Sequence, residues 1–163
     1  YKDAIAAVKK VRSENCKIEL VVFGEKLEDP TPLYEEAGFK FEYHFRPTGE
    51  TLRKIYSSCG TFLCSSWYEG LGMPAMEAMM CGTVLVTPDT GGNRDYALNE
   101  KTALVSPIKN PEALAKNLIR VLTNEPLRLQ LAEKGYQKIQ QFSWDTNCEQ
   151  LVKCFEKSLD DRK

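Results

Sequence analysis

Two carboxylates, Glu69 and Glu77, stand eight positions apart in the run Glu69-Gly70-Leu71-Gly72-Met73-Pro74-Ala75-Met76-Glu77-Ala78. Between them Gly70 and Gly72 offer backbone that can take positive φ or approach a ligand closely. Pro74 suits the first turn of a helix. With Pro74 at the first helical position, the N-cap falls on Met73, whose side chain cannot satisfy the orphan amides as Ser, Thr, Asp or Asn would. Those amides and the positive end of the helix dipole are then open to an anion, a phosphate above all. Carboxylates accept hydrogen bonds from hydroxyls and repel phosphate. The combination suits a ligand with both phosphate and polyol parts, the make-up of a nucleotide sugar. Without such a ligand, Glu69 is a surface loop residue and Glu77 only complements the helix dipole.

The elements that position these residues read as a βαβ unit. Thr61-Phe62-Leu63-Cys64 has a strand's length and bounds. The helix opened by Pro74 is stopped by Gly82 in the left-handed role, and Thr83-Val84-Leu85-Val86 is a buried-looking strand. Upstream, residues 3–14 form an amphipathic helix with Ile5, Val8 and Val11 on one stripe. Residues 17–23 form a strand whose apolar run suggests burial on both faces, closed by Gly24-Glu25-Lys26. A short helix over 30–37 ends at Gly38, a strand runs over 39–45, and a helix covers 49–58. Downstream, Thr90-Gly91-Gly92 makes a turn, Asn93-Arg94-Asp95 opens a short helix, and 102–105 is a last strand. Helices then cover 111–122, 126–142 and 144–160, with Asn110 and Ser143 as N-caps.

Strands alternating with helices give an α/β fold, a doubly wound, Rossmann-like parallel sheet with right-handed crossovers. Ligands of such sheets sit beyond the carboxyl ends of the strands. The loops at Gly24, Arg46, Trp67–Gly72 and Pro88–Gly92 all follow strands and gather on that edge.

The 163 residues make one domain, and the formal net charge of −1 argues against a nucleic-acid partner. Cysteines 16, 59, 64, 81, 148 and 154 show no C-x-x-C pair. Several lie in apolar runs, as buried reduced thiols of a cytoplasmic protein do. No stretch of these residues reads as a signal peptide or as an apolar run of membrane-spanning length. His44, the single histidine, lacks neighbours at ligand spacing and reads as a strand residue with a satisfied ring. Met73, Met76, Met79 and Met80 have the spacing of core filler. Trp67 and Tyr68 either stack on a base or sugar or pack the loop. Arg94 is either the most suggestive cation on this side of the site or a surface arginine paired with Asp95 or Glu100, the second being the plainer reading. No Walker-type loop is present, and Ala75 stands where a dinucleotide fingerprint would have its last glycine.

The frame from Glu69 to Ala78 resembles the E-x7-E motif of the retaining group 1 glycosyltransferases of the GT-B fold. Pro88-Asp89-Thr90-Gly91-Gly92-Asn93-Arg94-Asp95 is similar to that family's Gly-Gly segment, and Ala103-Leu104-Val105-Ser106-Pro107 and Phe142-Ser143-Trp144 follow in the family's order. The resemblance implies a carboxy-terminal donor-binding domain. Glu77 would accept hydrogen bonds from ribose hydroxyls, and Glu69, in the catalytic role, would hold a hydroxyl of the donor sugar. In the loop of Gly70, Leu71, Gly72 and Met73, the last three would offer amides to sugar or phosphate. Gly24 would lie near the donor or form a plain βα turn, and Arg46 with Pro47 would border the base. Phe45 stands about where the family has a glycine.

The resemblance further implies a nucleotide-sugar substrate with no cofactor and no metal, and a glycan or cell-envelope product. The glycan, lipid or protein acceptor would bind a separate amino-terminal domain, with the full-length protein cytoplasmic or peripheral at the inner membrane face. The domain's first strand and the family's diphosphate-neutralising Arg and Lys would lie ahead of Tyr1, leaving this stretch inactive alone. The alternative is a non-catalytic α/β nucleotide-binding or regulatory module.

Overall fold

Val84, Leu85 and Val86 are all fully buried, because the strand that carries them is covered on both faces. In the computed structural model, which describes residues 1–14, 17–25 and 28–160, that strand is β4 (Val84–Pro88). It lies between β3 (Thr61–Leu63) and β5 (Ala103–Ser106) in a parallel sheet of order β3-β4-β5. Side chains alternate along a strand, so Val84 and Val86 enter one core with Leu104, and Leu85 enters another with Ala103.

The first core is closed by α1 (Lys2–Ser13) and α5 (Pro111–Thr123), through Ala7, Val11, Leu114, Leu118 and Val121. The second is closed by α4 (Met73–Met80), through Ala75 and Met79, together with Tyr96 and Ala97. The helix α6 (Glu125–Ile139) reaches both, with Leu131 and Ala132 in the first and Ile139 in the second. Helices on both faces of a parallel sheet make the expected doubly wound arrangement. Each fully buried Leu or Val contributes about 1.5–3 kcal/mol of transfer free energy.

A second pair, β1 (Val21–Gly24) and β2 (Glu42–Phe45), is also parallel, joined by α2 (Thr31–Ala37). The helix α3 (Gly49–Ser58) leads from β2 to β3. Among the described residues no strand pairs β1 with β3. Between them runs a cavity of about 810 Å³, lined by Val21, Val22 and Phe23 on one side and Phe62, Leu63 and Cys64 on the other. The expected two-sided burial of the Leu20–Phe23 run is therefore corrected: Val21 to Gly24 are only half-buried, since one edge of β1 borders this cavity. The two strands are also shorter than expected, because only 21–24 and 42–45 pair with each other.

The helix ends follow local chemistry. Asn110 and Asn124 accept hydrogen bonds from the amides of Ala113 and Leu127, both at 3.0 Å, and Ser143 accepts from Thr146 at 3.1 Å, each an N-cap. The last helix, α7 (Trp144–Asp160), buries none of its residues. Cys148 and Cys154 on it are exposed, correcting the expectation of buried thiols, while Cys59, Cys64 and Cys81 are half-buried. Cys16 and Lys26 lie outside the described residues. Among those residues no helix is long and apolar enough to cross a membrane.

Candidate functional site

The start of α4 is the centre of the site. Its N-cap is Gly72, not Met73: Gly72 has φ +77°, and its carbonyl accepts from the amides of Ala75 at 2.9 Å and Met76 at 3.4 Å. Met73 thus becomes the first helical residue and Pro74 the second, one position inward of the sequence expectation. The physical expectation holds, because no side chain caps this end and Met73 is 60 % exposed. The other end closes with the amides of Gly82 and Thr83 on the carbonyls of Met79 and Ala78, at 3.0 and 3.2 Å.

The loop ahead of α4 is fixed from the turn after β4. The Glu69 amide donates to the Thr90 carbonyl at 3.3 Å, and Glu69 bridges Gly91 in parallel fashion. A Cβ at Gly92 would overlap the carbonyl oxygen of Gly70. Asn93, 3 % exposed, ties the turn together. Its Nδ2 donates to the Pro88 carbonyl at 2.8 Å and to Thr87 Oγ1 at 3.2 Å, and its Oδ1 accepts from the Thr90 amide at 3.2 Å. Residues 93–95 form turns rather than the expected short helix.

Glu69 and Gly72 line the cavity that opens between β1 and β3, together with Thr90, Asn93 and Tyr96. Glu77 lines a different one, about 1030 Å³, over α3, α4 and α6, with Leu52, Met76 and Tyr136. The helix α4 is the wall between them, with Pro74 and Ala75 on the first side and Met76, Glu77 and Met80 on the second. Glu77 Oε2 accepts a hydrogen bond from the hydroxyl of Tyr56 on α3 at 3.1 Å. Burial, and then the nearby Glu77 charge, push that phenol's pKa up.

The remaining candidates are spread along the same sheet edge. Gly24 closes β1, and its carbonyl accepts from the Arg46 amide at 2.9 Å. Arg46 has φ +47° and its guanidinium lies 5.7 Å from the Phe45 ring centre. Arg94 pairs with neither Asp95 nor Glu100. It grips Asp89 through two bonds of 2.8 and 2.9 Å, while Glu100 is held by Arg120 at 2.6 and 3.0 Å. The 90–92 turn folds Arg94 back on Asp89 ahead of it, which sequence adjacency did not reveal. Trp67 packs rather than standing free: Nε1 donates to Asp3 at 2.7 Å and the Lys109 ammonium lies 4.7 Å above its ring. Tyr68 is 75 % exposed. His44 meets Glu42 at 2.6 Å, the expected satisfied ring. Met79 is core, Met76 borders it, and Met73 and Met80 are exposed, so the methionine cluster is only half filler. Among the described residues no group of three or more His, Cys, Asp or Glu is placed to hold a metal ion.

Sequence reasoning placed the Thr90-Gly91-Gly92 turn on this edge and Asn93 in the segment similar to the family's, but missed Tyr96 as a part of this site. The one available signal was the placement of polar side chains around the Gly91-Gly92 turn, whose partners are up to 25 residues away.

Comparison with known proteins agrees with this architecture. The family model described as glycosyl transferases group 1 matches residues 1–138. A D-inositol 3-phosphate glycosyltransferase from Salinispora tropica is 31 % identical over 134 residues, 79 % of this chain and 28 % of that protein. An uncharacterized glycosyltransferase of Methanocaldococcus jannaschii is 25 % identical over 158 residues, 95 % of this chain and 40 % of that one. The chain thus spans less than half the length of these relatives. The fold matches a sucrose-phosphate synthase from Thermosynechococcus elongatus with a TM-score of 0.80 at 22 % identity, covering 98 % of this chain and 43 % of that one. It also matches a mutant of S. aureus TarM, solved with fondaparinux, alpha-GlcNAc-glycerol and UDP, with a TM-score of 0.81 at 19 % identity, covering 94 % and 32 % of the two chains.

Proposed function

The chain belongs to the group 1 glycosyl transferases, and on that premise we propose that it is the donor-binding domain of a retaining enzyme that moves a sugar from a nucleotide-sugar to an acceptor. The observation that carries this is the side-chain-free start of α4, set between Glu69 on one face and Glu77 on the other. A diphosphate at the helix start would meet the free amides and the positive dipole end. Glu69 would hold a hydroxyl of the donor sugar, and Glu77 would take the ribose hydroxyls in exchange for, or beside, the Tyr56 hydroxyl. Charge developing on the departing diphosphate is stabilised by donors already in place, with no metal or cofactor assigned a part. UDP in the TarM structure supports a nucleotide donor here.

The acceptor, the glycan or envelope product, and a cytoplasmic or peripheral inner-membrane location belong to the same proposal and to the full-length protein. The family's diphosphate-neutralising Arg and Lys would come from outside this chain, and Arg94 beside the site is engaged by Asp89. The 163-residue chain by itself is then inactive in sugar transfer.

Isothermal titration of the full-length protein against UDP-, GDP-, ADP- and dTDP-sugars tests the proposal. One of them should bind, and Glu77→Gln should weaken it by roughly tenfold, the loss of one charge-assisted hydrogen bond. Binding of none would favour a non-catalytic module. Robust turnover by the isolated chain would refute the division of labour between domains.

A further inference from the structure

Tyr96 is buried at 0 % exposure in the turn that follows Gly92, in a T-shaped pair with Phe142, 6.3 Å between ring centres. The hydroxyl donates to the Leu71 carbonyl at 2.8 Å and lies 3.3 Å from the Gly72 carbonyl, so its single proton is shared between consecutive peptides. Burial pushes this phenol up to about 12, which keeps it a donor throughout the physiological range.

In a trans peptide the C=O and N–H point in opposite directions. Drawing the Leu71 carbonyl onto Tyr96 turns the Gly72 amide the other way, while the Gly72 carbonyl, held by the Ala75 amide at 2.9 Å, leaves the Met73 amide at the open start of the helix. Neither amide donates a hydrogen bond to any described residue. Gly72 is required twice over, for its φ of +77° and because a Cβ there would stand 2.8 Å from the Tyr96 hydroxyl. A second observation points to a ligand at the same place. Thr90 Oγ1 is buried with no hydrogen-bond partner among the described residues, and Thr90, only 4 % exposed, lines the same cavity as Glu69, Gly72 and Tyr96.

We propose that Tyr96 is the positioning residue of the diphosphate site: by holding the Leu71 carbonyl, it aims the Gly72 amide, beside the Met73 amide of the helix start, at the phosphates of the donor. This rests on the donor-binding proposal above and adds to it the residue that sets the direction of the Gly72 amide.

The test compares wild-type and Tyr96→Phe full-length protein for binding of UDP, GDP and ADP and of the matching nucleosides. The variant keeps the buried ring and removes only the hydroxyl. The nucleoside diphosphate that the wild type binds should bind the variant roughly tenfold more weakly, while the nucleoside affinity stays unchanged. Equal weakening of both, as a merely structural role would give, or no weakening of either, overturns the positioning role and leaves the donor site standing. Failure of the wild type to bind any nucleoside diphosphate sinks both proposals. Should the variant not fold, hydrogen exchange of the wild type decides: residues 71–76 should be protected by the diphosphate and not by the nucleoside. Equal protection by the two, or none by the diphosphate, overturns the inference.

Discussion

Gly92 packs on the carbonyl of Gly70 so closely that no Cβ can stand between them. Two loops that follow different strands therefore meet backbone to backbone, and the position of Glu69 is set from the turn after β4. Gly92→Ala should push the Glu69 loop outward while leaving both cores intact. A misplacement of about 1 Å in such a site can cost on the order of a hundredfold in rate. The expected outcome is a loss of that order in kcat/KM of the full-length enzyme with its cooperative unfolding retained. Wild-type kinetics in the variant would show that the loops move apart without consequence.

Asn93 satisfies the Thr90 amide and the Pro88 carbonyl at the same time. Asn93→Ala leaves both without that partner in a buried place, which costs about 1–3 kcal/mol. Chemical denaturation should read that loss, and nucleotide-sugar affinity should fall with it, because the turn also carries Thr90 and Gly92. A variant as stable as the wild type would contradict this accounting of the turn.

The Arg94 guanidinium, through its hydrogen bonds, holds the Asp89 carboxyl below the ordinary aspartate value of 3.8, helped by the Gly91 amide. A carboxylate whose pKa is lower folded than unfolded contributes stability above the unfolded value, and loses it as pH falls through the folded one. Wild type should therefore be more stable than Asp89→Asn at neutral pH, and the gap should close in melts taken below pH 3.8. Both side chains are well exposed, so the gap should be small and should shrink in high salt. A gap that widens on acidification would contradict the pairing.

Leu85 is the one β4 side chain of the Val84–Val86 run that enters the α4-side core, and it is fully buried. Leu85→Ala should destabilise by about 2–5 kcal/mol, from lost transfer free energy and the cavity left behind. Urea unfolding measures this directly. A loss below about 1 kcal/mol would mean that α4 collapses onto the sheet with little resistance.

Much of the architecture was legible locally. The bounds of α3 and α7 are those expected, and the caps at Asn110 and Ser143 form because an Asn or Ser ahead of a helical pattern has few better partners than the orphan amides. At α4 the chemistry was legible and the register was not. Pro74 tolerates either of the first two positions, and the choice was made by the positive φ of Gly72, whose carbonyl starts the helical ladder. What escaped was long-range: the Tyr56 bond to Glu77, the reach of Tyr96 to Leu71, and the return of Arg94 onto Asp89. Each depends on how separate elements dock, which residue spacing along the chain does not encode. The half-exposure of β1 belongs with these, since burial of a strand depends on its lateral neighbours as well as on its own apolar run.

Among the described residues no strand pairs the facing flanks of β1 and β3 across the cavity between them. Unpaired backbone of that kind invites any extended peptide to dock, and a neighbouring copy of the chain is the nearest supply. Handled by itself at high concentration, the chain should therefore self-associate through these rims while its two cores stay intact, and solubility would be lost before the fold is.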